Sequence, residues 1–485
     1  MAAENTIDRS EIRNVSGSDE IRFVKKRLPF RQIGPYSIIH RGAARVCLDE
    51  SGTQLWSLID GSRSAKEIAL ETIDGSEETW SEVQPVVNRF LEQLHRLGLI
   101  ELKDSTASPL PAAVGVSEMG SSRPSAPPGL LRPVQDECST PKSSNFEPKT
   151  LSQRIDQFYW SNFFIQKMHL EVTYRCNFRC VHCYNTTHAG AENELSFAQW
   201  ERVLDQLAGL GCYLLTFTGG ELFVRKDTVS LLEAAASRGF TFRVNTNASL
   251  IDDRMIERLE PLRPFIQSFD ISVYGATAEV HDALARRPGS HGATMRGITA
   301  LKAANFPLVA KFVTLRDNFT GVDRFEEDMR GLGITSVIHT GSVIPQTNRN
   351  TAPLVQILTD SQYEHFLQTR SVIGSSDPGH CKPGHVRGAV TPDGHVSPCE
   401  WLTDFKLGDL RQQPLREIWY GSEFAAFRKV FEQESECDPC GLRPGCNRCP
   451  AHSYLETGNL LHCAPVQQRQ AQMLFDYQAR QAVAV

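Results

Sequence analysis

Six apolar runs of strand length, at 168–174, 213–218, 241–246, 267–274, 309–315 and 336–344, alternate with stretches of helical periodicity. The helical stretches include Ser196–Leu210, Asp227–Arg238, Thr277–Arg287 and Thr294–Asn305. This alternation predicts a parallel α/β sheet, whose sites form at the carboxyl ends of the strands. The first hundred residues follow another pattern. After a polar leader of about twenty residues, extended stretches at Tyr36–Ile39 and Ala44–Leu48 lead into a helix over Glu50–Ile59, closed by Asp60-Gly61. Ser64 and Glu67 form a capping-box arrangement at the start of a second helix reaching Thr72. A third helix runs from Thr79 to Leu97, with Val83, Val87, Phe90, Leu91, Leu94 and Leu97 as its apolar stripe. Gly98 ends it, and the strand-like Leu99–Leu102 follows. Strands, three helices and a final strand describe a winged-helix-like unit.

Between these regions, residues 104–149 are rich in Pro, Ser, Ala and Gly, the composition of a flexible linker. The division expected is therefore an N-terminal domain at 22–103, a linker at 104–150, the alternating sheet at 160–345 and a cysteine-rich domain at 375–470. A chain of 485 residues accommodates these. The formal net charge of −6 gives no general attraction for nucleic acid or an anionic membrane. No run of eighteen apolar residues appears, and the polar start Met1-Ala-Ala-Glu-Asn-Thr lacks an apolar signal core, so no membrane partner is expected.

Cysteine usage carries the chemistry. Cys176, Cys180 and Cys183 are spaced Cys-x3-Cys-x2-Cys within Thr173-Tyr-Arg-Cys-Asn-Phe-Arg-Cys-Val-His-Cys-Tyr184. Three thiolates at this spacing can hold three irons of a four-iron cluster and leave one iron open; soft ligands favour iron–sulfur or zinc. A zinc finger would need a fourth ligand at suitable spacing, and His182, between two of the cysteines, is badly placed for the same tetrahedron. Seven more cysteines follow at 381, 399, 437, 440, 446, 449 and 463, more than one tetrahedral metal can use; two structural zinc sites are the alternative from spacing alone. The remaining three, Cys47, Cys138 and Cys212, do not form a disulfide framework. Reduced thiolates imply a cytoplasmic location.

The first motif resembles that of the radical S-adenosylmethionine (SAM) enzymes, in which the open iron chelates SAM and an electron cleaves it to a 5′-deoxyadenosyl radical. Phe217-Thr-Gly-Gly-Glu221 then resembles the family's site for the SAM amino group, with Gly219, Gly220 and Glu221 its members. Tyr184 matches the aromatic residue whose backbone reads adenine. Asn247 and Ser272, at later strand ends, match positions that contact ribose or methionine, although both residue types also cap helices. The resemblance implies a partial (β/α)6 barrel rather than a closed one.

The later cysteines resemble the SPASM extension of radical SAM peptide maturases, with Cys446-x2-Cys449 one residue shorter than the usual spacing. That likeness implies one auxiliary cluster on Cys437, Cys440, Cys446 and Cys463, and a nearer one on Cys381, Cys399 and Cys449. Three [4Fe-4S] clusters result in all, one SAM-binding and two auxiliary. The nearer cluster's fourth position is then open or filled by another group, with His380 and His385 as neighbours. Asp393 and Glu400 flank Cys399 as candidate acids or bases, surface or supporting roles being the plainer reading.

The N-terminal order, with Asp49-Glu-Ser-Gly-Thr-Gln-Leu-Trp-Ser-Leu-Ile-Asp-Gly61, resembles the leader-binding chaperone of pyrroloquinoline quinone biosynthesis. Relatives of that chaperone bind precursor peptides as an added strand. DNA binding is disfavoured, because the third helix sets only Arg89 and Arg96 against Glu82 and Glu92. Together these resemblances imply a maturase that installs crosslinks, Cys thioethers foremost, in a precursor peptide or small protein. It would draw electrons from a donor such as flavodoxin or ferredoxin. Carbon–carbon or aromatic crosslinking, sulfatase maturation, and an electron-transfer or peptide-carrier scaffold are the alternatives.

Overall fold

The computed structural model describes residues 21–41, 44–73, 80–104, 150–190, 193–340, 343–370, 381–443, 446 and 448–483. The polar leader, the linker, Cys138 and His380 lie outside the described residues. The chain divides into two compact units, Met1–Ile155 and Asp156–Val485.

In the first unit, β1 (Ile21–Lys25) pairs antiparallel with β5 (Ile100–Asp104), and β2 (Phe30–Ile33), β3 (Tyr36–Arg41) and β4 (Ala44–Leu48) form an antiparallel sheet. The three helices are α1 (Glu50–Leu58), α2 (Ala65–Ile73) and α3 (Trp80–Arg96). Asp49 caps α1 by accepting the Gly52 N–H at 2.9 Å. The Ser64–Glu67 box at α2 closes both ways, at 2.7 and 3.3 Å. Val83, Val87, Leu91 and Leu94 of α3 join Ile39, Trp56 and Ile68 in one core. Leu97 leaves that stripe and is exposed, because α3 ends at Arg96 and the chain turns through Gly98 at φ +62°. The strands β1 and β2 are absent from the sequence reading.

In the second unit, α4 (Leu151–Ser161), which spans the division, reaches the sheet through the Tyr159 hydroxyl, which donates to the Gly211 carbonyl at 2.7 Å. Six parallel strands lie side by side in chain order: β6 (Lys167–Glu171), β7 (Leu214–Thr218), β8 (Thr241–Thr246), β9 (Ile266–Val273), β10 (Leu308–Val313) and β11 (Val337–Thr340). The intervening helices are α5 (Phe197–Gly209), α6 (Thr228–Ser237), α7 (Asp253–Leu259), α8 (Ala278–Ala285), α9 (Ser290–Ala303) and α10 (Val322–Gly331). Helix α9 starts four residues before the expected Thr294, because the Asp282 carboxylate accepts the Gly289 and His291 N–H groups at 2.6 and 2.8 Å and so caps it from the previous helix.

The sheet does not stop at six strands. Arg387–Val390 (β12) pairs in parallel with β6, and β13 (His395–Ser397) and β14 (Gly408–Asp409) continue antiparallel to make nine. The cysteine-rich region is thus partly built into the barrel sheet. One sheet face is apolar, with Met168, Leu170, Leu215, Phe217, Phe242, Val244, Phe269, Ile271 and Phe312 in the main core. The alternate positions carry Lys167, His169, Glu171, Thr216, Thr218, Arg243, Asn245, Asp270 and Lys311; the register sets His169 opposite Thr216 and Thr216 opposite Arg243. A parallel sheet with a polar face is lining something. Among the described residues no helix is long and apolar enough to cross a membrane.

Candidate active site

Beyond Glu171 the chain runs as a strap that carries Cys176, Cys180 and Cys183. The strap is fastened to the end of α8, where Arg179 N and Val181 N donate to the Ala285 and Leu284 carbonyls at 2.9 and 3.0 Å. Phe178, buried with Tyr274 and Leu284, anchors it, and its N–H donates to Cys176 Sγ at 3.4 Å. The turn after β7 packs backbone to backbone on the strap's entrance. Gly220 N donates to the Thr173 carbonyl at 2.7 Å and Glu221 N to the Arg175 carbonyl at 2.9 Å. A Cβ on Gly219 would lie 2.3 Å from Thr173 O, and one on Gly220 2.4 Å from Arg175 O, so both positions require glycine.

Glu221 is buried and its carboxylate is committed within the protein. It accepts the Phe223 N–H at 3.2 Å, the Thr246 hydroxyl at 2.7 Å and the Asn247 N–H at 2.8 Å. Burial pushes its pKa above the ordinary carboxyl value, and these bonds oppose that shift. Asn247 extends the tie, its Nδ2 donating to Asn177 Oδ1 on the strap at 2.9 Å. The strap, the Gly-Gly-Glu turn and the end of β8 are therefore one hydrogen-bonded assembly. The Tyr184 hydroxyl donates to Glu171 Oε1 at 3.3 Å, and its carbonyl accepts the Thr347 N–H at 3.0 Å. Ser272 stands in β9 opposite Lys311, on the polar face.

The seven later cysteines fall into two groups. Cys437, Cys440, Cys446 and Cys463 line a common recess together with Arg443 and Arg448. Cys381, Cys399 and Cys449 lie near one another, each thiol feeling the charge of at least one of the others or of shared neighbours, and all three feeling that of Glu400. His385 is not among them; its ring stacks on Trp160 at 5.2 Å. Asp393 serves its own turn, accepting from Thr391 Oγ1 at 2.5 Å and facing His395 Nδ1 at 3.0 Å.

Residues 170–329 match the Radical SAM superfamily, residues 381–450 the SPASM iron-sulfur cluster-binding domain, and residues 42–100 the Coenzyme PQQ synthesis protein D (PqqD). The chain therefore carries a radical SAM domain, a SPASM domain and a PqqD-like domain. The AdoMet-dependent heme synthase of Methanosarcina barkeri is 26% identical to it over 330 residues, 61% of this chain and 94% of the relative. The PqqA peptide cyclase of Granulibacter bethesdensis is 26% identical over 322 residues, 60% of this chain and 83% of the relative. Streptococcus suis SuiB bound to precursor peptide SuiA shares the fold at TM-score 0.52 and 13% identity, covering 93% of this chain and 99% of that one.

The donor sets suit the iron-sulfur clusters that the radical SAM and SPASM domains imply. Burial pushes Cys176 and Cys183 up to about 11 and Cys180 higher still, so thiolates there need the positive charge that iron supplies. Among the described residues no three His, Cys, Asp or Glu side chains close on a single ion. Thiolates of a four-iron cluster each hold a different iron and so stand wider than donors to one ion.

Sequence reading passed over a polar group on β6. Burial pushes the Glu171 carboxyl up to about 8, with Glu400 adding to the shift and the Tyr184 and Tyr174 hydroxyls opposing it. His169 Nε2 stands 3.7 Å from Glu400 Oε1. Burial alone would raise Glu400, yet His169, the Cys399 thiol and Arg387 outweigh it and hold this carboxyl below its ordinary value. Two neighbouring carboxyls thus differ in charge, with Glu171 next to the strap and Glu400 next to the Cys381 group. The signal available in the sequence was the alternation Lys167, His169, Glu171 within an otherwise apolar run.

Proposed function

We propose that the protein matures a ribosomally made precursor peptide or small protein, installing crosslinks of which Cys thioethers are the favoured type. The observation that carries this reading is the presence in one chain of a PqqD-like unit, a radical SAM domain and a SPASM domain. The PqqD-like unit captures the leader, and tethering raises the effective concentration of the core peptide at the radical site. Exposed Leu70 on α2 and Val86 on α3 offer apolar contact on that unit.

Cys176, Cys180 and Cys183 hold the SAM-binding cluster, and the two later cysteine groups hold the auxiliary clusters, three [4Fe-4S] clusters in all. When bound, SAM and its cluster supply a carbon radical that removes hydrogen from the substrate. With SAM bound, Gly219 and Gly220 would hold its amino group through backbone carbonyls, the turn being kept tight by the absence of Cβ atoms there. Glu221 sets that turn through its bonds to Thr246 and Asn247 rather than by reaching the ligand. Tyr184, Asn247 and Ser272 complete the SAM site. Glu171, fully buried and bonded by the Tyr184 hydroxyl, stays protonated near neutral pH. A flavodoxin or ferredoxin supplies the electron, and the enzyme works in the cytoplasm.

The likeness to AdoMet-dependent heme synthases favours a second reading, radical chemistry on a tetrapyrrole. A peptide-capture unit has no part in it. The test is anaerobic co-expression with the precursor encoded beside this gene, followed by mass spectrometry against Cys176→Ala. Loss of a hydrogen pair per crosslink, with thiols that no longer alkylate, is the expected result. The same loss with every thiol free would move the bond to carbon–carbon. An unchanged peptide alongside turnover of a tetrapyrrole would overturn the maturase reading.

A further inference from the structure

The Cys381, Cys399 and Cys449 group is one ligand short of a fully coordinated four-iron cluster. We propose that the carboxylate of Glu400 is the fourth ligand. This inference rests on the auxiliary-cluster assignment and is independent of what the enzyme modifies.

Among the described residues the remaining cysteines do not supply the position. Cys212 is fully buried in the main core, its thiol 3.6 Å from the Leu214 carbonyl, and Cys47 belongs to the other unit. Among the described residues, two nearby histidines are engaged by other groups. His385 is held among Trp160, Phe163 and Phe431, with Nδ1 3.4 Å from the Pro383 carbonyl. His452 packs its ring edge on Trp401.

Glu400 has the placement those groups lack. Its Oε2 stands 3.1 Å from Cys399 Sγ, as acceptor of the thiol proton in the metal-free protein. Iron displaces that proton and leaves sulfur and oxygen as adjacent donors. Charged neighbours of Cys381 are Arg387, Glu400, Lys167 and Arg448, and only Glu400 among them carries lone pairs for a metal. Arg387 lies among all three thiols and Glu400, and supplies the countercharge an extra anionic ligand demands. His169 faces the other carboxylate oxygen at 3.7 Å and orients it, as supporting residues do for metal ligands. A carboxylate is a harder donor than a thiolate, so this position is the exchangeable one of the four.

The test uses full-length protein carrying Cys176→Ala, Cys180→Ala and Cys183→Ala, reconstituted anaerobically so that only auxiliary clusters form. Iron content, Mössbauer spectra and reduced-state EPR are compared between this parent, Glu400→Gln and Glu400→Cys, with cyanide as probe of an open iron. The expected result is a changed spectrum for one of the two clusters in Glu400→Gln, together with a cyanide response at lower concentration than in the parent. Spectra that superimpose on the parent, with equal cyanide response, would overturn the assignment. Should Glu400→Gln lose iron, Glu400→Cys decides: full iron with an altered spectrum supports ligation, and an unaltered one refutes it. Cys138→Ala and His380→Ala close the remaining routes, because a changed spectrum in either with Glu400→Gln silent gives the position to that residue.

Discussion

Gly220 is the residue at which geometry is least forgiving. Its missing side chain is replaced by the carbonyls of Arg175 and Tyr174, which a Cβ would meet at 2.4 and 2.5 Å. Neither side can withdraw, since Glu221 N is bonded to the same Arg175 carbonyl. Gly220→Ala therefore moves the strap, with a cost of about 2–4 kcal/mol. The expected outcome is a lowered melting temperature and loss of iron and SAM cleavage at the first motif. Gly209→Ala, where nothing lies within 4 Å, is the matched control and leaves all three unchanged. Glu171 yields a prediction of opposite character. Its carboxyl is raised to about 8, so the folded chain holds a proton that the unfolded chain releases near the ordinary carboxyl pKa. The folded state thus binds more protons across that window, and stability falls as pH rises through it. Glu171→Gln keeps the neutral shape without the titration. Its denaturation midpoint should exceed that of the parent by an amount growing from pH 5 to pH 8, of order 2 kcal/mol at the upper end. Parallel pH profiles for the two proteins would refute the assignment. The cysteines stood out in the sequence as candidate ligands because spacing alone expresses their chemistry. Glu171, His169 and Glu400 were not read as a group, because their proximity depends on strands β6 and β12 and the loop after β13 meeting in space.

At the scale of elements, alternation placed all six parallel strands within a few residues, since buried parallel strands are written as local apolar runs. The strands β1 and β2 were missed for the converse reason. Ile-Arg-Phe-Val-Lys and Phe-Arg-Gln-Ile have little local signature, and β1 finds its partner β5 far along the chain, Phe23 opposite Leu102. Likewise β12 reads as part of a separate cysteine-rich domain, yet pairs with β6 and covers what would otherwise be an open edge of the barrel sheet. That pairing aligns the two chemistries: β6 leads to the strap, while β12 and β13 lead to Cys399. Ala389 is fully buried with His169 and Ser397 as its neighbours on the two sides. Ala389→Pro removes a ladder donor from an interior strand and should cost about 3 kcal/mol or more. Calorimetry would show it as a lower melting temperature, and iron counting as loss at the auxiliary sites. A variant with parental iron and melting temperature would mean that β12 is only an accessory strand.

At the scale of the whole molecule, the two units divide recognition from chemistry. Every residue assigned here to SAM or to a cluster lies after Asp156, and the PqqD-like match lies before Ile155. Each unit has its own core, Phe23, Trp56, Val87 and Leu94 in the first and the sheet-and-helix core in the second. A protein lacking residues 1–103 should therefore fold, bind its iron and cleave SAM in the presence of reductant as the full chain does. What it should lose is processing of a leader-bearing peptide at low concentration, because the core must then find the site without a tether. The loss belongs in KM: raising the peptide toward millimolar, the effective concentration of a short flexible link, should recover much of the rate. Supplying the excised unit as a separate protein should restore little, since it captures the leader without delivering the core. Equal peptide processing by the two proteins at every concentration would remove the capture role from the first unit. Loss of SAM cleavage on deletion would instead make that unit part of the catalytic fold, contrary to the division of cores.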